Sequence, residues 1–184
     1  KVRYRKLAFR LALFLILPIS LVAVAGTLWL RTSLPGLSEN IALRSLENPV
    51  DIIHDSNGIP HINAESTEDA YRALGFVHAR DRLFQMDFMR RLGAGRLSEV
   101  IGRPTLPLDK TMRTLDLYRL ATETVGRLPV EGRAALEAYA AGVNAFLIAR
   151  AGALPPEFIA LQYEPEQWTP ADSLVWGRLM AMRL

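Results

Sequence analysis

The chain of 184 residues contains no cysteine. Disulfides, thiolate metal sites and a cysteine nucleophile are thereby excluded. Histidine is scarce as well: His54, His61 and His78 are the only three, none at metal-ligand spacing, and each reads as structural. No acidic residue precedes Glu39, whereas Lys1, Arg3, Arg5, Lys6 and Arg10 crowd the start. Without those five the remainder carries 17 cations against 19 acids, so the formal charge of +3 is local to the N-terminus. It is a topology signal and no nucleic-acid footprint, since no basic stripe interleaved with aromatics follows. Internal repeats and low-complexity tracts are absent, and Gly93 and Gly95 lack the preceding strand that a phosphate loop needs.

What the chain does have is twenty uncharged residues, Leu11 to Leu30, directly after the basic cluster. A helix of this length crosses a bilayer core of about 30 Å at roughly 1.5 Å per residue. Pro18 lies inside the run and is tolerated in membrane helices. The flanking cations stay on the cytoplasmic side, which exports everything after Arg31. Ala23-Val24-Ala25 offers the alternative of a cleaved signal peptide, but the apolar run continues past it through Thr27-Leu28-Trp29-Leu30. The expectation is a retained single-pass anchor. The domain plan is accordingly a basic segment at 1–10, a transmembrane helix at 11–30, a linker at 31–40 and one exported domain at 41–184.

Within the exported part, Ile41–Leu46 and Val50–His54 read as strands. Asn57-Gly58 between apolar runs predicts a tight hairpin with both residues at positive φ, and Pro60 must then occupy an edge or a bulge. Ser66, with Asp69 three residues on, opens a helix expected to reach about Leu92 and to stop at Gly93-Ala94-Gly95. Its apolar positions Ala73, Phe76, Val77, Leu83, Phe84 and Phe88 fit a helical period only roughly. Pro104 and Pro107 predict irregular chain ahead of a short helix near Leu115–Val125. Leu136, Tyr139, Val143, Phe146 and Leu147 give the next helix, Glu131 to Arg150, one buried face, with Gly152 as its stop. A last helix opens at Thr169 with Pro170 first and Asp172 behind it. It is strongly apolar and carries no end signal, so the fold is expected to be completed by another polypeptide or by further residues.

Several segments resemble the penicillin acylase family. They are Asp55-Ser56-Asn57-Gly58-Ile59-Pro60-His61-Ile62, then His78-Ala79-Arg80-Asp81-Arg82-Leu83-Phe84-Gln85-Met86-Asp87 with Met89-Arg90-Arg91 and Gly95-Arg96-Leu97-Ser98-Glu99. Tyr139-Ala140-Ala141-Gly142-Val143-Asn144-Ala145-Phe146, Leu154-Pro155-Pro156-Glu157-Phe158 and Tyr163-Glu164-Pro165-Glu166-Gln167-Trp168-Thr169-Pro170 follow in family order. The resemblance covers roughly Val50 to Leu184. It implies an α+β fold class, in which this chain is the mainly helical α subunit of an αββα N-terminal-nucleophile hydrolase, a heterodimer cut from one precursor. It also implies that the nucleophilic Ser belongs to a β chain, leaving no catalytic residue here.

The same resemblance assigns part of an acyl pocket to Met180, Arg183 and Leu184, and Trp176 joins Met180 and Leu184 at i, i+4, i+8 on one helix face. Leu184 stands where phenylacetyl-preferring members have Phe, which implies aliphatic acyl groups. A structural calcium bound mainly by the β chain is a further implication; its α-chain ligand would lie past Leu184, and no metal residue is assigned here. Arg80 and Asp87 are candidates for interchain salt bridges. The expected partners are the β chain, the lipid bilayer of a bacterial inner membrane with the bulk in the periplasm, a small acyl-amide substrate and other membrane proteins, with no nucleic acid. The alternative function is an inactive homologue serving as an accessory subunit of a membrane complex.

Overall fold

The computed structural model describes residues 2–32, 40–43, 46–150 and 154–182. The first helix, α1, spans Val2–Thr32, so the basic segment continues into the apolar run as one rod with Pro18 inside. Phe14–Arg31 is long and apolar enough to cross a membrane, and none of that window is buried against the protein. The Thr27 hydroxyl lies 2.9 Å from the Ala23 carbonyl and 2.8 Å from that of Val24. Its polarity is therefore satisfied within the helix, as a hydrocarbon environment demands.

Strand β1, Asp51–His54, pairs antiparallel with β2, Pro60–Asn63, in the register Ile52 opposite Ile62 and His54 opposite Pro60. Pro60 opens its strand, where a missing N–H costs least. The turn differs from the expected two-residue form. Gly58 alone takes positive φ, +76°, and the Asp55 N–H donates to the Ile59 carbonyl at 3.1 Å. The Asp55 carboxylate closes the loop, accepting from the N–H groups of Asn57 at 2.8 Å and Ile59 at 2.9 Å. An Asx turn thus replaces Asn57 in the left-handed region. The strand expected at Ile41–Leu46 does not form among its described residues, and Arg44 and Ser45 lie outside them.

Helix α2, Thr67–Ala94, begins as the sequence indicates: Ser66 Oγ accepts the Asp69 N–H at 3.0 Å. The Asp69 carboxylate does not complete a capping box. Fully buried, it accepts from the N–H groups of Glu47 at 3.2 Å and Asn48 at 3.1 Å and from Arg72 at 2.8 Å, tying the incoming segment to the helix. Burial opposes its charge, but the hydrogen bonds from Glu47 and Asn48 prevail and hold its pKa below the ordinary carboxylate value. At Arg82 (φ −141°, ψ 23°) the helix breaks. The break explains why one apolar period does not run through the whole segment. Gly95 then ends it in the left-handed region at φ 62°.

After the short helix α3, Ser98–Ile101, and a 3-10 turn at Arg103–Thr105, helix α4 runs over Leu106–Leu115 and α5 over Leu117–Arg127. This corrects the expected irregular chain: Pro107 sits in the first turn of α4, where its missing N–H has no intrahelical partner to lose. Asp109, buried, accepts the N–H groups of Leu97 at 2.9 Å and Ser98 at 2.8 Å and so anchors α3.

Helix α6, Val130–Ala149, packs along α2. A Cβ at Gly75 would lie 2.1 Å from the Tyr139 carbonyl oxygen, and one at Gly142 would lie 1.9 Å from that of Arg72. Only hydrogen fits at this crossing. The core at the crossing holds Ala79, Leu83, Met86, Ala140 and Val143 with Phe158 and Trp168. Phe158 comes from the short helix α7, Pro156–Ala160. A second cluster joins Ala121 of α5 to Ala171 and Val175 of the last helix, α8, Pro170–Ala181. The stop expected at Gly152 lies outside the described residues.

Candidate functional site

Helix α8 carries two of the four residues expected to face a substrate, Trp176 and Met180, and its placement is heavily determined. Thr169 and Asp172 form a reciprocal capping box, and the Tyr118 hydroxyl donates to the second oxygen of the same buried carboxylate at 3.2 Å. Val175 and Leu179 are buried. Four residues apart, they fix which side of α8 faces the protein. Just upstream, Asn144 of α6 brackets the chain: its amide donates to the Trp168 carbonyl at 2.9 Å and accepts the Trp168 N–H at 2.7 Å. The indole N–H of Trp168 donates to Ser173 at 2.9 Å.

An ionic network, buried at Asp87, Arg90 and Arg91 and half exposed at Arg96, Glu99 and Glu166, holds the same segment from the other side. Asp87 accepts from Arg90 Nε at 2.8 Å and from Arg91 Nε at 2.9 Å. Arg90 reaches on to the carbonyls of Gln167 and Glu166, each at 2.8 Å. Arg91 contacts Glu99 at 3.0 Å and Glu166 at 3.2 Å, and Arg96 donates to Glu166 at 2.7 Å. The guanidinium groups also cover rings, Arg90 over Trp168 at 5.4 Å and Arg91 over Tyr163 at 5.1 Å. Hydrogen bonds from Arg96, with the surrounding guanidinium charges, hold the Glu166 carboxyl down to about 2 against the opposing effect of burial. Asp87, expected to pair across chains, instead uses both oxygens within this one. Arg80 is likewise engaged internally, with Asp81 at 3.1 Å and His54 at 2.5 Å. The reason is local: Asp87, Arg90 and Arg91 recur at i, i+3, i+4 behind the break at Arg82, on the side of α2 that meets the approach to α8.

Between α2, α6 and α8 lies a half-open groove of about 640 Å³. Tyr71, Leu74 and Met86 of α2, Leu136 and Tyr139 of α6, and Trp168 and Trp176 give it largely apolar walls. His78, Arg82 and Gln85 add polarity. His78 Nδ1 lies 3.0 Å from the Tyr139 hydroxyl. Burial lowers the His78 pKa against the pull of Asp81, and burial pushes the Tyr139 hydroxyl up to about 12, so the pair is neutral near pH 7. Among the described residues no cluster of His and acids could hold a metal ion.

Residues 49–184 match the family model described as Penicillin amidase. The chain belongs to the penicillin amidase family. Its relatives include the penicillin acylase 2 proenzyme of Pseudomonas sp. (strain SE83), 43% identical over 153 residues, which cover 83% of this chain and 20% of that protein. The acyl-homoserine lactone acylase QuiP of Pseudomonas fluorescens (strain Pf0-1) is 38% identical over 159 residues, 82% of this chain and 20% of that protein. Among solved structures, the thermostable penicillin G acylase from Alcaligenes faecalis matches with a TM-score of 0.67 at 31% identity, covering 74% of each chain. The chain thus spans about one fifth of the length of the curated relatives it matches, whereas the solved chain is of its own size.

Seen as part of a penicillin amidase, the mainly helical architecture agrees with the expectation for such a subunit. Among the described residues the only sheet is the hairpin β1–β2, so the layered αββα core is not contained in them. Of the expected pocket residues, Trp176 lines the groove and Met180 is half exposed, while Arg183 and Leu184 lie outside the described residues. Leu136 and Tyr139, expected on the buried face of α6, are half-buried and also wall the groove, with Tyr139 packed against the core as well. Periodicity overlooked the groove because its α2 wall, Tyr71, Leu74, His78 and Gln85, keeps helical spacing with mixed polarity.

Proposed function

We propose that this chain is the non-nucleophile α subunit of an acylase that hydrolyses a linear acyl-amide bond, of the penicillin or acyl-homoserine lactone type. The observation that carries the reading is the match over residues 49–184 to penicillin amidases, with the chain spanning one fifth of its curated relatives but the same length as a solved penicillin G acylase chain. The nucleophile, with its own α-amine as base, then belongs to the larger β chain. This subunit contributes scaffold and one wall of the acyl pocket, formed by Trp176, Met180, Arg183 and Leu184 on and just beyond α8. Trp176 and Met180 lie one turn apart, on positions distinct from the buried Val175 and Leu179. That leaves an apolar strip for an acyl chain, and the Arg183 cation suits a carboxylate on the leaving group.

Helix α1 anchors the enzyme in a bacterial inner membrane with residues after Arg31 in the periplasm. Its exposed apolar run and the five cations ahead of it, against Arg31 alone directly behind, support this. A structural calcium would be held mainly by the β chain.

The test is hydrolysis by the full-length protein, extracted with its membrane helix, of penicillin G and of N-acyl-homoserine lactones graded in chain length. Release of the free amine is expected, with the longer aliphatic acyl groups preferred. A companion chain present in stoichiometric amount with no hydrolysis of any acyl amide would overturn the reading.

A further inference from the structure

Between α3 and α4 the chain turns at the surface and presents apolar side chains together with cations and no exposed acid. Ile101, Leu106 and Leu108 are 38%, 41% and 39% exposed, and Pro104 and Pro107 beside them are exposed as well. Arg103 and Lys110 stand exposed among them, and no ion pair among the described residues engages either. The one acid of this stretch, Asp109, is buried and turned inward onto the Leu97 and Ser98 N–H groups, so it offers no charge to the surface. The turn is also firmly held. The Gly102 N–H donates to the Ser98 carbonyl at 3.0 Å and the Thr105 N–H to that of Gly102 at 3.2 Å, so the exposure belongs to the fold and not to a frayed end. Two other exposed apolar residues of the domain, by contrast, adjoin exposed acids, Val130 beside Glu131 and Ile159 two residues from Glu157.

Apolar side chains at headgroup depth, with Lys and Arg against phosphates, are how a peripheral element holds to a bilayer. The anchor supplies the bilayer. Residues 33–46 alone separate α1 from Glu47, whose N–H is tied to α2 through Asp69 at 3.2 Å. At roughly 3.6 Å per residue they reach at most about 50 Å. A tether of that range gives the turn a high effective concentration at the membrane surface, so a weak attraction suffices. We propose that the turn at 101–110 docks on the periplasmic face of the bilayer. Ile101, Leu106 and Leu108 enter the headgroup layer, and Arg103 and Lys110 pair with the phosphates of anionic phospholipids. The proposal rests on the reading of α1 as a membrane anchor.

The test uses the full-length protein, purified in detergent with everything that accompanies it and reconstituted in vesicles of phosphatidylcholine and phosphatidylglycerol. The chain has no cysteine, so Leu108→Cys and, as reference, Arg127→Cys at an exposed site on α5 each take a single nitrobenzoxadiazole label on it. The wild type gives the background. A doxyl quencher carried on the lipid is expected to quench the label at 108 several-fold more than the label at 127. Arg103→Glu with Lys110→Glu should lower the ratio of docked to free turn at least about tenfold, as should vesicles of phosphatidylcholine alone. Equal quenching at 108 and 127, or quenching that the charge reversal leaves unchanged, would overturn the docking and leave the anchor standing. A blue-shifted label at 108 that the lipid does not quench would put a companion chain or a second copy on the turn and overturn the docking too. A wild type that fails to float with the vesicles would overturn anchor and docking together, with no bearing on the acylase reading.

Discussion

Replacing Gly142 by alanine should force α2 and α6 apart. The new Cβ would lie 1.9 Å from the Arg72 carbonyl oxygen, 2.8 Å from its carbon and 3.0 Å from the Phe76 nitrogen, all of them backbone. No side chain can rotate away, so the helices must separate by more than 1 Å to reach an ordinary contact distance of 3.4 Å. Overpacking of this kind costs about 1–3 kcal/mol, and a backbone obstacle places Gly142→Ala at the upper end. The intrinsic helix preference of alanine over glycine offsets about 1 kcal/mol. A net loss of about 2 kcal/mol corresponds to roughly 4–8 °C in melting temperature for a protein of this size. Thermal unfolding followed by near-ultraviolet circular dichroism on the full-length protein measures it. Gly126→Ala, with nothing within 4 Å of its Cβ, serves as the reference. If Gly142→Ala melts within 1 °C of Gly126→Ala, the close crossing is refuted.

Asp87→Ala leaves Arg90 and Arg91 buried without their shared carboxylate and should cost about 3–5 kcal/mol, read by denaturant unfolding. Asn144→Ala removes both bonds to the Trp168 backbone and should cost about 1–3 kcal/mol, with slower loss of structure in α2 than in the chain leading into α8 by hydrogen exchange. The Glu166 carboxyl, held at about 2 against an ordinary 4.5, contributes stability fully present above pH 4.5 and lost as pH falls towards 2. Being half exposed it is screened, so the advantage of wild type over Glu166→Gln should be about 1 kcal/mol at most and should vanish across that window. Met180→Ala, at a half-exposed site, should leave the melting temperature nearly unchanged while raising KM for long acyl amides about tenfold; equal losses for all acyl lengths would contradict its place in the pocket.

The helix starts at Ser66 and Thr169 were legible because their signals are local: a hydroxyl ahead of an apolar stretch, with Pro170 and Asp172 sealing the second. The hairpin was legible in place but not in form, since the Asp55 carboxylate supplies the turn's hydrogen bonds and Asn57 need not enter the left-handed region. Pro107 misled because proline reads as a breaker until the helix is known to begin beside it. The break at Arg82 left no mark, as Asp81-Arg82-Leu83 are ordinary helix residues. Its consequence was visible only as a blurred period. The buried network was the hardest to foresee. Asp87, Arg90 and Arg91 look like a solvated face until Glu166 and the Gln167 carbonyl, some 75 residues further on, are brought against them. At the candidate site, the helix positions of Trp176 and Met180 could be read from i, i+4 spacing, whereas the groove required the approach of three helices.

The central claim is that this chain works as one subunit of a processed acylase. Intact mass and N-terminal sequencing of everything that co-purifies with it test this most directly. The account predicts a second, larger chain in equal amount that begins with serine. A companion beginning with a residue that cannot act as a nucleophile, or no companion at all, would contradict it and leave a membrane-tethered accessory protein in its place.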